Sequence, residues 1–98
     1  MSLPLIVTPE AEADMAEAKA WYEGRRTGLG EDFVLCVEAA LEHVRRAPGA
    51  ARQVQPGVRC VALQRFPYGV FYRVDPEQIA VLAVYHASRD PEGWKTRR

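Results

Sequence analysis

Ninety-eight residues and 11.0 kDa allow one domain spanning 1–98 and exclude a separate cofactor domain, because a chain this short hides only about 60–65% of its unfolded surface. Apolar residues at 48% and charged residues at 27% are globular proportions; no apolar run approaches the ~20 residues of a membrane span. The opening residues lack a basic leader pattern, so a cytoplasmic protein with no membrane partner is expected. The formal net charge of zero conceals a dipole: Met1–Glu42 holds three bases against nine acids, a net −6, and His43–Arg98 holds ten bases against four acids, a net +6.

Leu3 to Val7 is apolar and β-branched at its end, which predicts a strand. Thr8 can cap a helix, and Pro9 suits the first helical position, where no amide donor is needed. Glu10, Glu12 and Asp14 then meet the positive end of the helix dipole. Ala11, Met15, Ala18 and Tyr22 recur at helical spacing, widened by Trp21, and Gly24 and Gly28 around the Arg25–Thr27 break predict a helix from Pro9 to about Glu23. A second helix opens near Leu29, carries Phe33, Val37, Ala40, Leu41 and Val44 on one face, and ends with Arg45 and Arg46 before Pro48–Gly49. A connection of about five residues makes the two helices an antiparallel hairpin.

Gly49 to Gly57 has no period and reads as connection. From Val58 the period is two: VRCVALQR, a turn at RFPYG, the strand VFYRV, a turn at DPEQ, and IAVLAVYH. The last is apolar almost throughout, as in a central strand covered on both faces. The three strands form an antiparallel meander. Pro91 prevents the tail from continuing the strand. The Trp94 ring is therefore expected to pack on the domain body and hold Arg89 and Asp90 beside the sheet; the alternative is an exposed contact for a partner. The order β-α-α-β-β-β predicts an α+β fold, with an N-terminal strand and a helical hairpin packed on an antiparallel sheet whose other face is concave and arginine-bearing.

Most familiar chemistries are missing. GLG at 28–30 lies between helices rather than after a strand, so it is no phosphate loop. His43 and His86 are far apart, and Cys36 and Cys60 lack metal or redox spacing and read as buried free thiols. No metal and no cofactor are expected. The carboxylates of the two helices read as solvated faces rather than as a catalytic pair. What remains is a cluster on or just beyond the meander strands: Arg59, Arg65, Arg73, His86 and Arg89, interleaved with Tyr68, Tyr72 and Tyr85. Such residues can be structural ion pairs and core edges, a protein-docking surface rich in Tyr and Arg, or an RNA-cleaving site that grips a phosphodiester and moves protons.

Several of these pieces occur together in one order. Trp21–Tyr22 late in the first helix is followed by the F-x-x-x-V-x-x-A-L pattern from Phe33 to Leu41. A sheet entry at Gly57 and Arg59, an F-Y-R-V strand from Phe71 to Val74, and a closing H-x-x-R-D at His86, Arg89 and Asp90 complete the series. In this the chain resembles the RelE/ParE superfamily of bacterial type II toxins, along almost its whole length. The resemblance implies a small toxin neutralised by a cognate antitoxin. RelE-like members are ribosome-dependent mRNA interferases and thus enzymes, with basic residues on the sheet; ParE-like members lack that set and are associated with DNA gyrase. Lys19 and Lys95 are the only lysines, so the lysine-rich nuclease site is not available. The long second helix and the F-Y-R-V and H-x-x-R-D motifs look more like ParE. The implied partners are thus an antitoxin and DNA gyrase, with ribosome and mRNA as the alternative, and a non-toxic interaction module of the same fold as a third reading. Arg65, His86 and Arg89 stand near the positions a nuclease version would use. Trp21, Arg59, Tyr68, Arg73, Tyr85 and Trp94 are the expected contacts for antitoxin or target, Arg59 mainly holding the sheet edge.

Overall fold

A computed structural model describes residues 3–97. Its elements are β1 (Leu5–Val7), α1 (Pro9–Arg25), α2 (Leu29–Arg46), β2 (Gln53–Gln55), β3 (Val58–Ala62), β4 (Tyr68–Val74), β5 (Ile79–His86) and a short α3 (Glu92–Lys95). The α+β class and the order of the main elements are as the sequence predicts. Strands β5, β4, β3 and β2 pair antiparallel in turn, and β1 joins the outer side of β5 in parallel, giving a mixed sheet ordered β1-β5-β4-β3-β2. In the meander two predicted boundaries move: β3 stops at Ala62, and β4 begins at Tyr68, inside the expected turn. The predicted connection contains β2. Its QVQ sequence pairs through the backbone, with Gln53 and Val54 exposed, so it leaves no hydrophobic period to read.

Thr8 performs two tasks at the start of α1. Its hydroxyl accepts the Ala11 amide at 3.3 Å as the N-cap and donates to the Val81 carbonyl on β5 at 2.8 Å. The cap that starts the helix therefore also fixes it to the sheet. Small buried residues, Ala11 and Ala18, let α1 approach the sheet closely.

The helix continues through Gly24 to Arg25, past the expected end, because Glu23 has a partner in the next helix. The N-cap of α2 is Gly28, at φ 90° and with no side chain to accept amides. Glu23 substitutes for it. Its carboxylate accepts the Gly28 amide at 3.0 Å and the Gly30 amide at 3.0 Å. Gly30 permits this closeness, since a Cβ there would lie 2.7 Å from the Lys19 carbonyl oxygen. Those two amides hold the Glu23 carboxyl below the usual carboxylate range. A group whose folded pKa is lowered contributes stability above its unfolded value and loses it as the pH falls through the folded value. Glu23→Gln is thus expected to be less stable than the parent at neutral pH, the gap closing as both are titrated toward about pH 2, as urea unfolding across that range will show.

The main core lies between the hairpin and one face of the sheet. Phe33, Val37 and Val44 of α2 and Tyr22 of α1 meet Val70, Tyr72, Val81 and Val84. Tyr72 is fully buried, with its hydroxyl donating to the Pro48 carbonyl at 2.8 Å. The opposite face is not the open arginine-bearing surface expected. A second cluster of Val58, Ala80, Leu82, Ala83, Tyr85 and Trp94 covers it, with Phe71 against it. The Trp94 ring stacks on Phe71 with centroids 4.5 Å apart and is 3% exposed. This is why β5 is apolar at every position from Ile79 to Tyr85: helices cover one face and the tail covers the other. Cys36 and Cys60 are free but only half-buried.

Candidate functional site: a cleft beside the free half of the last strand

Strand β1 covers β5 only from Ile79 to Val81, while β5 runs on to His86. Beyond Val81 the outer edge of β5 faces α1 across a cleft of 510 Å³. Its walls carry Glu17, Trp21 and Tyr22 from α1, Tyr68 from the start of β4, and His86 and Arg89 from the end of β5 and the turn after it.

The aromatic wall is continuous. Trp21 packs edge-on against Tyr22 at 5.0 Å, Tyr22 lies 6.0 Å from Tyr68, and Tyr68 lies 5.2 Å from the His86 ring. Trp21 is 57% exposed despite its size, with the Arg25 guanidinium over its ring. Tyr68 and Tyr22 both have hydroxyls pushed up in pKa, burial being the main cause; for Tyr68 the nearby Tyr22 and Glu17 add to it and Arg89 opposes it. The His86 Nδ1 accepts the Ser88 amide at 3.0 Å and lies 2.8 Å from the Ser88 hydroxyl. That arrangement places the proton of the neutral ring on Nε2. The Arg89 guanidinium stacks over the Tyr85 ring at 4.3 Å. Among the described residues it has no carboxylate partner.

The floor of the cleft is a polar junction. Asp14 on α1 accepts the Val84 amide at 3.0 Å and the Arg97 guanidinium at 2.7 Å, and Arg97 also donates to the Leu82 carbonyl at 3.3 Å. The carboxylate is 8% exposed and the guanidinium 18%. The carboxylate pulls the Arg97 pKa further up, against its burial. Arginine from the tail and aspartate from the first helix together close part of the strand edge left bare by β1.

Of the nine residues singled out from sequence, four line this cleft: Trp21, Tyr68, His86 and Arg89. The other five are elsewhere. Arg59 opposes Tyr72 in register and donates to the Ala51 carbonyl, holding the loop after α2 to the sheet. Arg65 is an exposed residue paired with Asp32 at 3.7 Å, with its guanidinium over the Phe66 ring, and is not part of the cleft lining. Arg73 sits on the opposite face near Ala80 and is bonded to Asp75 at 2.8 Å. Tyr85 and Trp94 are each 3% exposed inside the second cluster, so neither offers a surface for first contact. Alternation explains the scatter: neighbouring positions on one strand face opposite sides of the sheet.

Asp14 and Arg97 were not singled out at all, and the helical carboxylates are not all solvated as expected. One signal was available. Asp14 lies three residues after Ala11 and four before Ala18, inside the apolar stripe of α1, where an acid must be paired.

Known proteins bear on the same fold. A family model described as the ParE toxin of the type II toxin-antitoxin system, parDE, matches residues 5–91. Two proteins named Toxin ParE2, from Mycobacterium tuberculosis strains CDC 1551 / Oshkosh and H37Rv, are 30% identical over 92 residues, covering 93% of this chain and 88% of each relative. A solved structure titled as the chromosomal ParDE TA system from P. aeruginosa superposes with a TM-score of 0.68 at 27% identity, covering 86% of this chain and 95% of that one. The match runs from the first strand through the His86–Arg89 turn, and this chain belongs to the ParE toxin family of type II toxin–antitoxin systems.

Proposed function

We propose that this toxin arrests growth by acting on DNA gyrase in the cytoplasm and that a cognate antitoxin neutralises it. The observation that carries the reading is similarity to ParE proteins over nearly the full length. The cleft supports a protein-binding role over RNA cleavage. A general base works best with a pKa near the operating pH, but the hydroxyls of Tyr22 and Tyr68 are pushed up. One nitrogen of His86 is occupied by Ser88. The arginines that would grip a phosphate path diverge: Arg59, Arg65 and Arg73 serve separate ion pairs and backbone contacts.

Induced expression should stop growth, and co-expression of the protein encoded by the adjacent reading frame should restore it. The purified chain should block supercoiling by gyrase and leave broken DNA, while messenger RNA on ribosomes stays intact. Cutting of that RNA would instead support the RelE-like reading. Arg89→Ala should relieve the arrest while costing no more than about 1 kcal/mol of stability, the range of an exposed cation–π contact such as its stack on Tyr85; growth curves and thermal melts check the two halves.

A further inference from the structure

A second strand edge is open on the other side of the sheet. β2 runs beside only the start of β3, with Gln55 opposite Val58 and Gln53 opposite Arg59. The last bond from that side runs from the Cys60 amide to the Arg52 carbonyl at 3.2 Å. On its inner side β3 pairs with β4 from Arg59 to Ala62, and the Leu63 amide donates to the Tyr68 carbonyl at 2.9 Å. That bond fixes the alternation. Arg59, Val61 and Leu63 turn their backbone groups toward β4, so Cys60 and Ala62 turn theirs outward. Among the described residues the Ala62 amide and carbonyl have no partner.

Past Cys60 this edge borders a second cleft, of 280 Å³, between α2 and β3. Cys36, Ala39 and Ala40 give its helix wall small side chains, and Val61 and Leu63 belong to its sheet wall. Folded sheets guard such edges with charges, prolines or bulges. The stretch from Cys60 to Gln64 reads CVALQ, with no charge and no proline, and Ala62 is exposed.

In an antiparallel ladder alternate residues exchange both of their bonds with the one residue opposite. Ala62 can do this. Cys60 cannot, because its amide is taken by Arg52. Antiparallel pairing at this edge is therefore centred on Ala62. A matching strand must offer a residue with both groups free, apolar neighbours on the helix side, and no charge. The same stretch of a second copy meets all three conditions. A two-fold axis through the Ala62 pair makes its two bonds identical, as a closed symmetric dimer requires. It also sets Val61 of each copy opposite Leu63 of the other, on the face where both residues already meet the main core.

We propose that two copies of this chain join by antiparallel pairing of β3 about Ala62, which continues the sheet from one copy into the next. The contact is small, two backbone bonds and a few apolar side chains, so the dimer is weak and depends on concentration. The strand order β1-β5-β4-β3-β2 puts the first cleft on the opposite side of the sheet. Dimerisation leaves it open, and the dimer presents two such clefts to a bivalent partner. The inference does not depend on which target the toxin has.

The test uses the full chain alone. Its mass by sedimentation equilibrium should rise from 11.0 kDa toward twice that value between about 10 µM and about 1 mM. The Ala62 amide should exchange more slowly over the same range. Ala62→Lys and Ala62→Glu each set like charges against each other at the axis, which should weaken the dimer by about tenfold or more and leave the melting temperature of the dilute protein unchanged. An equimolar mixture of the two variants sets opposite charges there and should recover the doubled mass. A parent protein that stays at 11.0 kDa up to about 1 mM overturns the proposal. So does a dimer that tolerates both substitutions, or a mixture that stays monomeric. Slowing of Ala62 exchange only when the protein from the adjacent reading frame is added would give this edge to another chain, and also overturns it.

Discussion

Trp94→Ala is expected to destabilise the isolated domain by about 3–5 kcal/mol, the usual cost of removing a large buried aromatic side chain. A domain of this length has a total stability of roughly 5–15 kcal/mol, and each kcal/mol moves the melting temperature by about 4–8 °C. The variant should therefore melt at least about 12 °C lower or fail to fold at body temperature. The physical reason is local. Trp94 stacks on Phe71 and, among the described residues, is the one large apolar side chain that the tail contributes to the second cluster. Without it, Phe71 loses the ring stacked on it and the second cluster is left with a cavity or exposed apolar surface. Trp94→Phe keeps most of the ring area and should recover at least half of the loss. A parent protein whose Trp94 is fully accessible to a soluble quencher would contradict this account; Trp21, more than half exposed, supplies the accessible comparison in the same protein, read with Trp21→Phe and Trp94→Phe.

The second large effect is expected at the Asp14–Arg97 pair. Asp14→Ala removes the acceptor of three bonds at once, one from the Val84 amide and two from the Arg97 guanidinium. It leaves both donors in a place with little water. Breaking a buried pair by deleting one partner costs about 3–5 kcal/mol. Here the guanidinium is 18% exposed and can turn toward water, so about 2–3 kcal/mol is the expected loss, the value of a hydrogen bond to a charged group. Arg97→Ala should cost a similar amount. The double variant should cost clearly less than the two single losses together, because most of each loss is the same interaction. Additive losses in denaturant unfolding would mean that the two residues act separately. The pair also bears on the cleft, since Asp14 occupies the Val84 amide and so helps define which backbone groups remain for a partner.

The helical hairpin, the long central strand and the closing position of Trp94 were legible in the sequence because each follows from a local rule. Alternation and helical spacing report which side of an element is buried, and a single large ring in a polar tail has little choice but to pack. The family was legible for a similar reason: its motifs sit in the strands and helices whose order makes the fold, and the comparisons agree from residue 5 to 91. The candidate site was legible only in part. Tyr68, His86, Arg89 and Trp21 were found as residue types, yet Arg59, Arg65, Arg73, Tyr85 and Trp94 carried the same signal and proved to face elsewhere.

What the amino-acid sequence determined by itself was the set of elements, their buried faces and the supply of aromatic and basic groups. Tertiary structure alone decided three things. It placed β1 beside β5 for only three residues, so that part of a central strand has a free edge. It inserted a bulge at Leu82, which chose the backbone groups on that edge. It brought Asp14 and Arg97, 83 residues apart in the chain, into one ion pair. Local periodicity carries information over a few residues and is blind to all three. A strand's register, a bulge and a long-range ion pair are fixed by what lies across the sheet and across the cleft, and those neighbours are distant in sequence.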